Sequence, residues 1–409
     1  MTYDVDALRS HFPSLATGLA HFDGPGGTQT PRQVGQAIAA TLTGPLSNRG
    51  RSSLPERNAD DAVTGFRQAM ADLLGAEPGG IVYGRSATQL TYDFSRALSA
   101  GWAAGDEVVV TRLDHDSNIR PWLQASERAG ALVRWVDFDP ETGELPAAAV
   151  AAALSERTRL VAVTAASNLI GTRPPIAEIA AHVHAAGALL YVDGVHYTAH
   201  ASVDVGALGA DFFVCSPYKF LGPHCGVLAA APGLLESIRP DKLLPSSDQV
   251  PERFELGTLP YELMAGATAA VDFLAGRGAG IPTSAGNRRE RLVAASIALA
   301  EYEDGLRADL ERGLAALPGA TVHSRAAERT PTVLVTFAGR AAADASRFLV
   351  ERDILAPAGS FYALEASRHL GLGDAGGLRI GLAPYTTTGE VSRLLSALGE
   401  FTETGPPSR

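Results

Sequence analysis

The 409-residue sequence is poor in cysteine, in positive charge and in long apolar runs. Its two cysteines exclude a disulfide framework, so a reducing compartment, the cytoplasm, is the expected location. The chain has 34 Lys and Arg residues against 45 Asp and Glu, a net charge of -11. This charge disfavours nucleic acids and anionic membranes as partners, because both attract basic patches. No run of about 18 apolar residues predicts a membrane span, and the N-terminal MTYDVDALRS lacks the apolar segment of a signal peptide.

The 46% of hydrophobic residues are enough for a large core and more than one domain. From Gly80 onward, short apolar runs alternate with helical segments, which predicts an α/β fold with a mostly parallel sheet covered on both faces. After a break at residues 277 to 286, the pattern indicates a smaller α+β domain. We therefore predict an N-terminal arm over residues 1–20, a large domain over 21–280 and a small domain over 281–409. The predicted strands of the large domain are Ile81–Tyr83, Val108–Thr111, Leu132–Val136, Leu160–Thr164, Leu189–Asp193 and Phe212–Ser216.

Polar side chains follow several of these strands directly. In an open parallel sheet, ligands bind outside the carboxyl ends of the strands, so these side chains are expected to lie around one site. They are Arg85, Ser86, Asp114, His115, Ser167, Asn168, Asp193 and Ser216.

Lys219 and Asp193 follow neighbouring apolar runs and suggest pyridoxal phosphate. Lys219 lies among Tyr218, Phe220 and Leu221, and burial lowers the pKa of a lysine and suits it to form a Schiff base with the cofactor aldehyde. Asp193 would pair with the pyridine nitrogen and make the ring an electron sink. The alternatives are a surface lysine and an acid that caps a turn before Gly194.

The cofactor phosphate needs hydrogen-bond donors. Ser86, Ala87 and Thr88 begin a predicted helix directly after a strand, where backbone amides and hydroxyls bind a dianion. Ser216, three residues before the lysine, adds a hydroxyl. The alternative for Ser86 to Thr88 is a plain helix N-cap.

Three further side chains are candidates for contacts with the cofactor or the substrate. His115 would stack on the cofactor ring and transfer protons, although a lone loop histidine is also a common structural residue. Asn168 would donate to the phenolic oxygen of the cofactor, or would form an Asx turn before Gly171. Arg379 lies in an apolar strand and would bind a substrate carboxylate through a bidentate fork, or would form an internal salt bridge.

His196 and His200 have the i, i+4 spacing of a helical metal pair. Together with Asp193 they suggest an alternative function from a different enzyme class, a metal-dependent hydrolase. Gly194, Thr198 and Ser202 disfavour a helix there, so no metal site is predicted.

The sequence resembles the class V aminotransferase family of pyridoxal-phosphate enzymes, and within it the cysteine desulfurase-like subgroup. The segments that carry the resemblance are HFDGPGGTQTP, TRLDHDSNIRPW, TAASNLIGT, YVDGVHYTAH, DFFVCSPYKFLGPHCGVL, RFELGT and LRIGLAPYTTTGEV. It implies the PLP-dependent transferase fold type I, with a mostly parallel sheet of the seven-stranded type, and a homodimer with shared active sites.

The same resemblance implies the roles of the site residues. Lys219, His115 and Asp193 are the catalytic residues that it predicts, and Arg379, Tyr362 and His196 the substrate-binding residues. The residues expected to bind the cofactor are Ser86, Ala87, Thr88, His115, Asn168, Asp193, His196, Ser216, Tyr218 and Lys219, with Gly257 and Thr258 supplied by the neighbouring subunit.

The sequence departs from true desulfurases in the substrate half of the site. Those enzymes usually have glutamine at the position of His196 and histidine at the position of Tyr218. Their persulfide-forming cysteine lies on the loop that corresponds to ILAPAGSFYAL, residues 354–364, where this chain has Tyr362 and no cysteine. We therefore predict a C–S lyase that eliminates a β-substituent without a persulfide relay, with an epimerase or an aminotransferase as alternatives.

Overall fold

The computed structural model describes residues 3–276 and 285–403. The predicted break at residues 277 to 286, and with it the predicted domain boundary at 280, falls largely on residues outside these ranges. The α-helices are α1 Val5–Arg9, α2 Arg32–Thr43, α3 Leu54–Leu74, α4 Ala87–Ser99, α5 Arg120–Ala129, α6 Ala147–Ala151, α7 Ile176–Ala185, α8 Val205–Leu208, α9 Pro232–Ser237, α10 Tyr261–Leu274, α11 Arg288–Ala315, α12 Ala342–Val350, α13 Leu364–His369 and α14 Thr388–Glu403.

The strands form three sheets. They are β1 Ala20–His21, β2 Ile81–Gly84, β3 Glu107–Thr111, β4 Leu132–Val136, β5 Thr158–Thr164, β6 Leu189–Asp193, β7 Phe212–Cys215, β8 Gly226–Ala230, β9 Ala320–Val322, β10 Thr332–Phe337, β11 Ile354–Leu355, β12 Ala358–Gly359 and β13 Gly377–Gly381. The large sheet has seven strands in the order β2-β8-β7-β6-β5-β3-β4. Every neighbouring pair in it is parallel except the two pairs that contain β8.

Both faces of the large sheet are buried because successive residues of its strands point into different cores. Val109 and Val161 pack into the larger cluster of apolar side chains, while Val108 and Leu160 pack into a second cluster on the opposite face. Near-continuous apolar strands of this kind are typical of a parallel sheet with helices on both sides. The predicted fold class, including the mostly parallel seven-stranded sheet, is confirmed.

Local signals in the sequence fix the ends of the longer helices. Helix α3 begins at Leu54, because Ser53 and Glu56 form a capping box and Pro55 occupies the first turn. It ends at Gly75, which adopts the left-handed conformation with φ of 63°. Helix α4 follows β2 through Ser86, whose hydroxyl accepts a hydrogen bond from the backbone N–H of Gln89 at 3.0 Å.

The C-terminal part packs around a second sheet. Its four antiparallel strands have the order β12-β13-β10-β9, and α11, α12 and α14 contribute side chains to the same core. Ala20 and Phe22 also belong to this core, because β1 pairs in parallel with β11. The predicted boundaries of the arm and the two domains stay predictions.

The N-terminal arm joins the two parts of the molecule. Leu8 and Phe12 are buried in a small cluster with Leu221 from the segment after β7 and Tyr385 from the segment after β13. Within the described residues, no helix has both the length and the apolar character needed to cross a membrane.

Candidate active site

A cavity of about 660 Å³ lies at the carboxyl ends of β5, β6 and β7. Thr164, Asp193 and Ser216, which end or follow these three strands, line it. Arg379 of β13 and Tyr362 close it from the side of the small sheet. Five of the eight polar residues expected around one site line this cavity, at the edge of the sheet where an open α/β sheet binds its ligands. They are Ser86, His115, Asn168, Asp193 and Ser216, whereas Arg85, Asp114 and Ser167 do not line it.

Lys219 projects into this cavity from the short 3₁₀ turn Pro217–Lys219 that follows β7. Its Nζ donates a hydrogen bond to the carbonyl oxygen of Pro25 and lies 4.7 Å from the centroid of the Tyr218 ring. Burial, with the positive charge of Arg379, lowers the pKa of Lys219 to about 7, against the opposing effect of Asp193. A substantial fraction of this amine is therefore neutral near pH 7, as a nucleophile or a base requires.

Asp193 ends β6 and is 5% exposed. Its Oδ1 accepts a hydrogen bond from the backbone N–H of Val195 at 2.9 Å. Burial raises the pKa of this carboxyl to about 6, although the Val195 N–H and Lys219 favour its charged form. Residue 194, next in the chain, is glycine, and a Cβ there would lie 1.9 Å from the ring of Phe213.

Ser86, Ala87 and Thr88 line one end of the cavity at the N-terminus of α4. The first amides of a helix have no partners within the helix and attract anions. The adjacent strand β8 can approach Ser86 closely because it has glycine at position 226. A Cβ at Gly226 would lie 2.3 Å from the backbone carbon of Ser86. The buried Ser216 also lines this cavity, and its role as a phosphate ligand stays a prediction.

His115 lies beside the cavity in its neutral form. Its Nδ1 is 3.1 Å from the backbone N of Ser117, which must donate, so the ring proton is on Nε2. Burial, followed by the charge of Lys219, lowers the pKa of His115 to about 4. The ring is 5.5 Å from that of Tyr362, with an interplanar angle of 33°.

Asp114, directly before His115, is fully buried beneath the site. Its carboxylate contacts the Thr111 hydroxyl and the Asn118 amide, the latter at 2.7 Å. Burial raises the pKa of Asp114 to about 8, with a smaller contribution from the negative charge of Asp193.

Arg379 is 3% exposed and points into the cavity. Its Nη1 donates to the carbonyl oxygen of Asn168 at 3.0 Å, and its Cζ lies 3.7 Å from the centroid of the Phe361 ring. Its Nε has no hydrogen-bond partner among the described residues. Burial lowers the pKa of Arg379 to about 9, and Asp23 opposes this. No salt bridge involving this guanidinium is found in the described ranges, so the alternative of an internal ion pair loses its support.

Asn168 has a different partner from the one the sequence suggested. Its Nδ2 donates to the carbonyl oxygen of Phe361 at 3.0 Å, while its Oδ1 is buried without a partner among the described residues. The side chain nevertheless lines the cavity, so its contact with a cofactor stays a prediction.

His196 and His200 are in edge-to-face contact, with ring centroids 5.0 Å apart, but they have different hydrogen-bond partners. His196 lines the cavity, but its Nε2 is 3.0 Å from Oγ1 of Thr330 and 2.9 Å from Oγ1 of Thr332. Burial holds the pKa of His196 well below its ordinary value. His200 instead contacts Glu303. Over residues 3–276 and 285–403, no group of three or more His, Cys, Asp or Glu side chains is placed to hold a metal ion. The alternative of a metal-dependent hydrolase therefore lacks a ligand set.

The remaining predicted residues fall into two groups. Tyr218 lines the cavity and stacks on His224 at 4.8 Å between ring centroids, and Tyr362 stands at the mouth with 76% exposure. Gly257 and Thr258 are exposed and are not part of this chain's cavity wall. Their assignment to a neighbouring subunit's site stays a prediction.

The structure also adds cavity residues that were not singled out from the sequence. Pro25 accepts the hydrogen bond of Lys219, and Phe361 covers Arg379. For Lys219 itself, the composition held a further signal, because Lys219 and Lys242 are the only lysines in the chain. Such scarcity makes a lysine in an apolar segment a stronger candidate for chemistry.

The chain matches known proteins along almost its whole length. The family model described as "Aminotransferase class-V" matches residues 20–394. An "Aminotransferase-like protein FGM3" of Gibberella zeae is 32% identical, with 97% of this chain and 98% of that protein covered. A "Cysteine desulfurase" of an Enterobacter species (strain 638) is 30% identical over the same shares of the two chains.

The crystal structure of the cysteine desulfurase CsdA from Escherichia coli superposes with a TM-score of 0.85. That match has 24% sequence identity and covers 98% of both chains, so it bears on the fold. The chain belongs to the class V aminotransferase family, whose members are pyridoxal-phosphate enzymes.

Proposed function

We propose, from this family membership and the geometry of the cavity, that the protein is a homodimeric C–S lyase that eliminates a sulfur substituent from the β-carbon of an amino acid. The observation that carries the proposal is the position of Lys219. Its amine is partly buried and has a lowered pKa. It shares one cavity with the buried carboxyl group of Asp193 and with the guanidinium of Arg379, which forms no ion pair among the described residues.

The residues of the cavity fit pyridoxal phosphate. Two buried polar atoms, Oδ1 of Asn168 and Nε of Arg379, lack partners in the described ranges, which is the condition of groups that await a ligand. The N-terminus of α4 and Ser216 would hold the phosphate, and Asp193 would hold the pyridine nitrogen. His115 would cover the ring. The bound cofactor supplies an aldehyde for the amino group of the substrate and a ring that accepts the electron pair of the α-carbon.

The protein side chains would then bind the substrate and move its protons. Arg379 would hold the carboxylate with its free Nε edge. Lys219, neutral in part near pH 7, would take the α-proton on Nζ. His115 is neutral and carries its ring proton on Nε2, so it would donate a hydrogen bond to a departing sulfur, while the proton that the sulfur gains would come from Nζ of Lys219, which took it from the α-carbon.

We propose that no persulfide relay operates in this chain. Its two cysteines, Cys215 and Cys225, are free and buried, and neither lines the cavity. Burial raises the pKa of Cys225 to about 12 and also raises the pKa of Cys215, which keeps both as unreactive thiols. Free buried thiols also suit the reducing cytoplasm, the compartment that we propose.

The proposed dimer would complete the phosphate site. Gly257 and Thr258 are exposed in this chain, and the same surface segment carries Leu256, which is 56% exposed. Because Gly257 and Thr258 are outside the cavity wall of their own chain, they would reach a phosphate only in the site of a second copy. The mass of the purified protein in solution, measured by light scattering, tests this; a monomer that binds and turns over substrate would contradict it.

The test of the function is a product analysis with the holoenzyme and L-cysteine. Elimination consumes one water and releases hydrogen sulfide, pyruvate and ammonia in equal amounts. Alanine as the carbon product, D-cysteine alone, or retention of the amino group on the cofactor would each contradict elimination and indicate desulfuration, epimerisation or transamination. Lys219→Ala should abolish all products, while Lys242→Ala, which changes the only other lysine, should leave them unchanged.

A further inference from the structure

The turn between β12 and α13 has an unusual backbone. Phe361 and Tyr362 both adopt the left-handed conformation, with φ of 53° and 58°. Two consecutive bulky residues rarely adopt it, because the Cβ atom approaches the backbone too closely. Such strain persists where the surroundings fix it, and it is common at ligand sites.

Both peptide carbonyls of this turn are held by the walls of the cavity. The carbonyl oxygen of Phe361 accepts from Nδ2 of Asn168 at 3.0 Å, and that of Tyr362 accepts from the backbone N–H of Asp116 at 2.8 Å. The two bonds come from segments that follow different strands of the large sheet, β5 and β3. The turn is therefore fixed to the large sheet although it belongs to the C-terminal part of the chain.

The conformation places two aromatic rings along one side of the cavity. The ring of Phe361 covers a face of the Arg379 guanidinium at 3.7 Å, so a carboxylate reaches Arg379 through its edge. The ring of Tyr362 stands farther out, 5.5 Å from that of His115, and is 76% exposed. Together the rings form an aromatic wall, Phe361 and Tyr362, that leads from the predicted carboxylate site to the mouth.

We propose that this wall binds the sulfur substituent of the substrate, and that the substrate is a cysteine S-conjugate, a thioether amino acid with an aromatic or other bulky apolar group on sulfur. The inference rests on the proposed function. The side chain of free cysteine ends at its thiol and would leave the outer ring of the wall in water. The cavity of about 660 Å³ is within the usual range for ligand sites, roughly 300–1,000 Å³, and would hold the cofactor together with the substrate.

The chemistry of a thioether also suits a site without a persulfide cysteine. The Cβ–S bond breaks, sulfur keeps the electron pair and gains a proton, and the α-carbon loses its proton. With one water, the products are a free thiol, pyruvate and ammonia, so neither an acceptor cysteine nor a reductant is needed.

The test compares S-benzyl-L-cysteine with L-cysteine on the holoenzyme. The kcat/KM for S-benzyl-L-cysteine should exceed that for L-cysteine by about tenfold, since a favourable aromatic contact is worth about that factor. Tyr362→Ala should lower this ratio about tenfold, whereas Tyr362→Phe should preserve it. Val350→Ala, an exposed apolar residue on α12, is the matched control and should preserve it as well.

A binding measurement separates contact from turnover. S-Benzyl-α-methyl-L-cysteine lacks the α-hydrogen and cannot be eliminated, so calorimetry on the holoenzyme gives its Kd directly. Tyr362→Ala should raise that Kd about tenfold, and Val350→Ala should not change it.

The outcomes distinguish the two proposals. Elimination from L-cysteine with no preference for the S-benzyl compound, or with a preference that Tyr362→Ala leaves intact, would overturn the inference and leave the proposed function standing. Failure to eliminate from either compound by a protein that carries the cofactor would overturn both.

Discussion

Nδ1 of His200 lies 2.8 Å from Oε2 of Glu303, and both side chains are buried. This contact joins the segment after β6, which leaves the active site at Asp193, to the middle of helix α11. A buried polar group that loses its partner keeps its full desolvation cost. The contact should therefore contribute to stability although it lies outside the cavity.

Glu303→Ala should lower the free energy of unfolding by about 2 kcal/mol, because the His200 imidazole stays buried without its carboxylate partner. Chemical denaturation followed by circular dichroism measures the change. Glu301→Ala, on the exposed side of the same helix, should change the free energy of unfolding by less than about 0.5 kcal/mol. Equal effects of the two substitutions would show that the His200–Glu303 contact does not stabilise the fold.

Lys219 should be the residue that attaches the cofactor. Borohydride reduction of the holoprotein, followed by proteolysis and mass spectrometry, should add the mass of the reduced cofactor to the peptide that contains Lys219. Lys242, which lies near Asp248 at 3.2 Å, is the internal control because the chain has no third lysine. A label on Lys242, or on neither lysine, would refute the assignment.

Arg379→Gln should lower kcat/KM for amino-acid substrates by about 10- to 100-fold, because hydrogen bonds between charged groups are worth about 1.5–3 kcal/mol. The cofactor absorbance of the variant should be retained, since the phosphate is expected at the opposite end of the cavity. Arg368→Gln removes an exposed guanidinium that pairs with Asp374 and should leave kcat/KM unchanged. Unchanged kinetics in Arg379→Gln would show that the carboxylate binds elsewhere.

The sequence predicted six strands of the large sheet because they are continuous apolar runs, and the seven-stranded type was implied by the family resemblance. The polar residues at the strand ends followed from the topology of parallel sheets. The sequence also predicted that Lys219, Asp193 and Arg379 would share a cavity, although they are distant in the chain. Strand β8 was not predicted, since the segment GVLAA follows directly on a glycine-proline turn and carries no polar residue at its end.

What the sequence could not supply were contacts made only by folding. Asn168 and Phe361 are 193 positions apart, and only the folded chain brings the amide to that carbonyl. The spacing of His196 and His200 suggested a metal pair, but a 3₁₀ turn and contacts with Thr330, Thr332 and Glu303 give the two rings separate partners. The left-handed backbone at Phe361 and Tyr362 is equally invisible in the sequence, because neither residue favours it.

Asp114 gives the last prediction, which concerns the dependence of stability on pH. Burial raises the pKa of this carboxyl to about 8 in the folded protein, from its ordinary value of 3.8. Between these values the folded state holds a proton that the unfolded state has lost. The contribution of Asp114 to stability is therefore fully present below about pH 4 and is lost as the pH rises towards about 8.

Asp114→Asn keeps the shape of the side chain and removes this proton equilibrium. The stability of the wild type relative to Asp114→Asn should fall as the pH rises from about 4 to about 8, by at most about 1.4 kcal/mol per pH unit. Urea denaturation of the apoprotein at a series of pH values measures the slope, with Asp61→Asn on the exposed side of α3 as the control that should show none. A difference between wild type and Asp114→Asn that does not vary with pH would mean that the Asp114 carboxyl is ionised in the folded protein throughout this range, held by the hydrogen bonds from Thr111 and Asn118 against its burial.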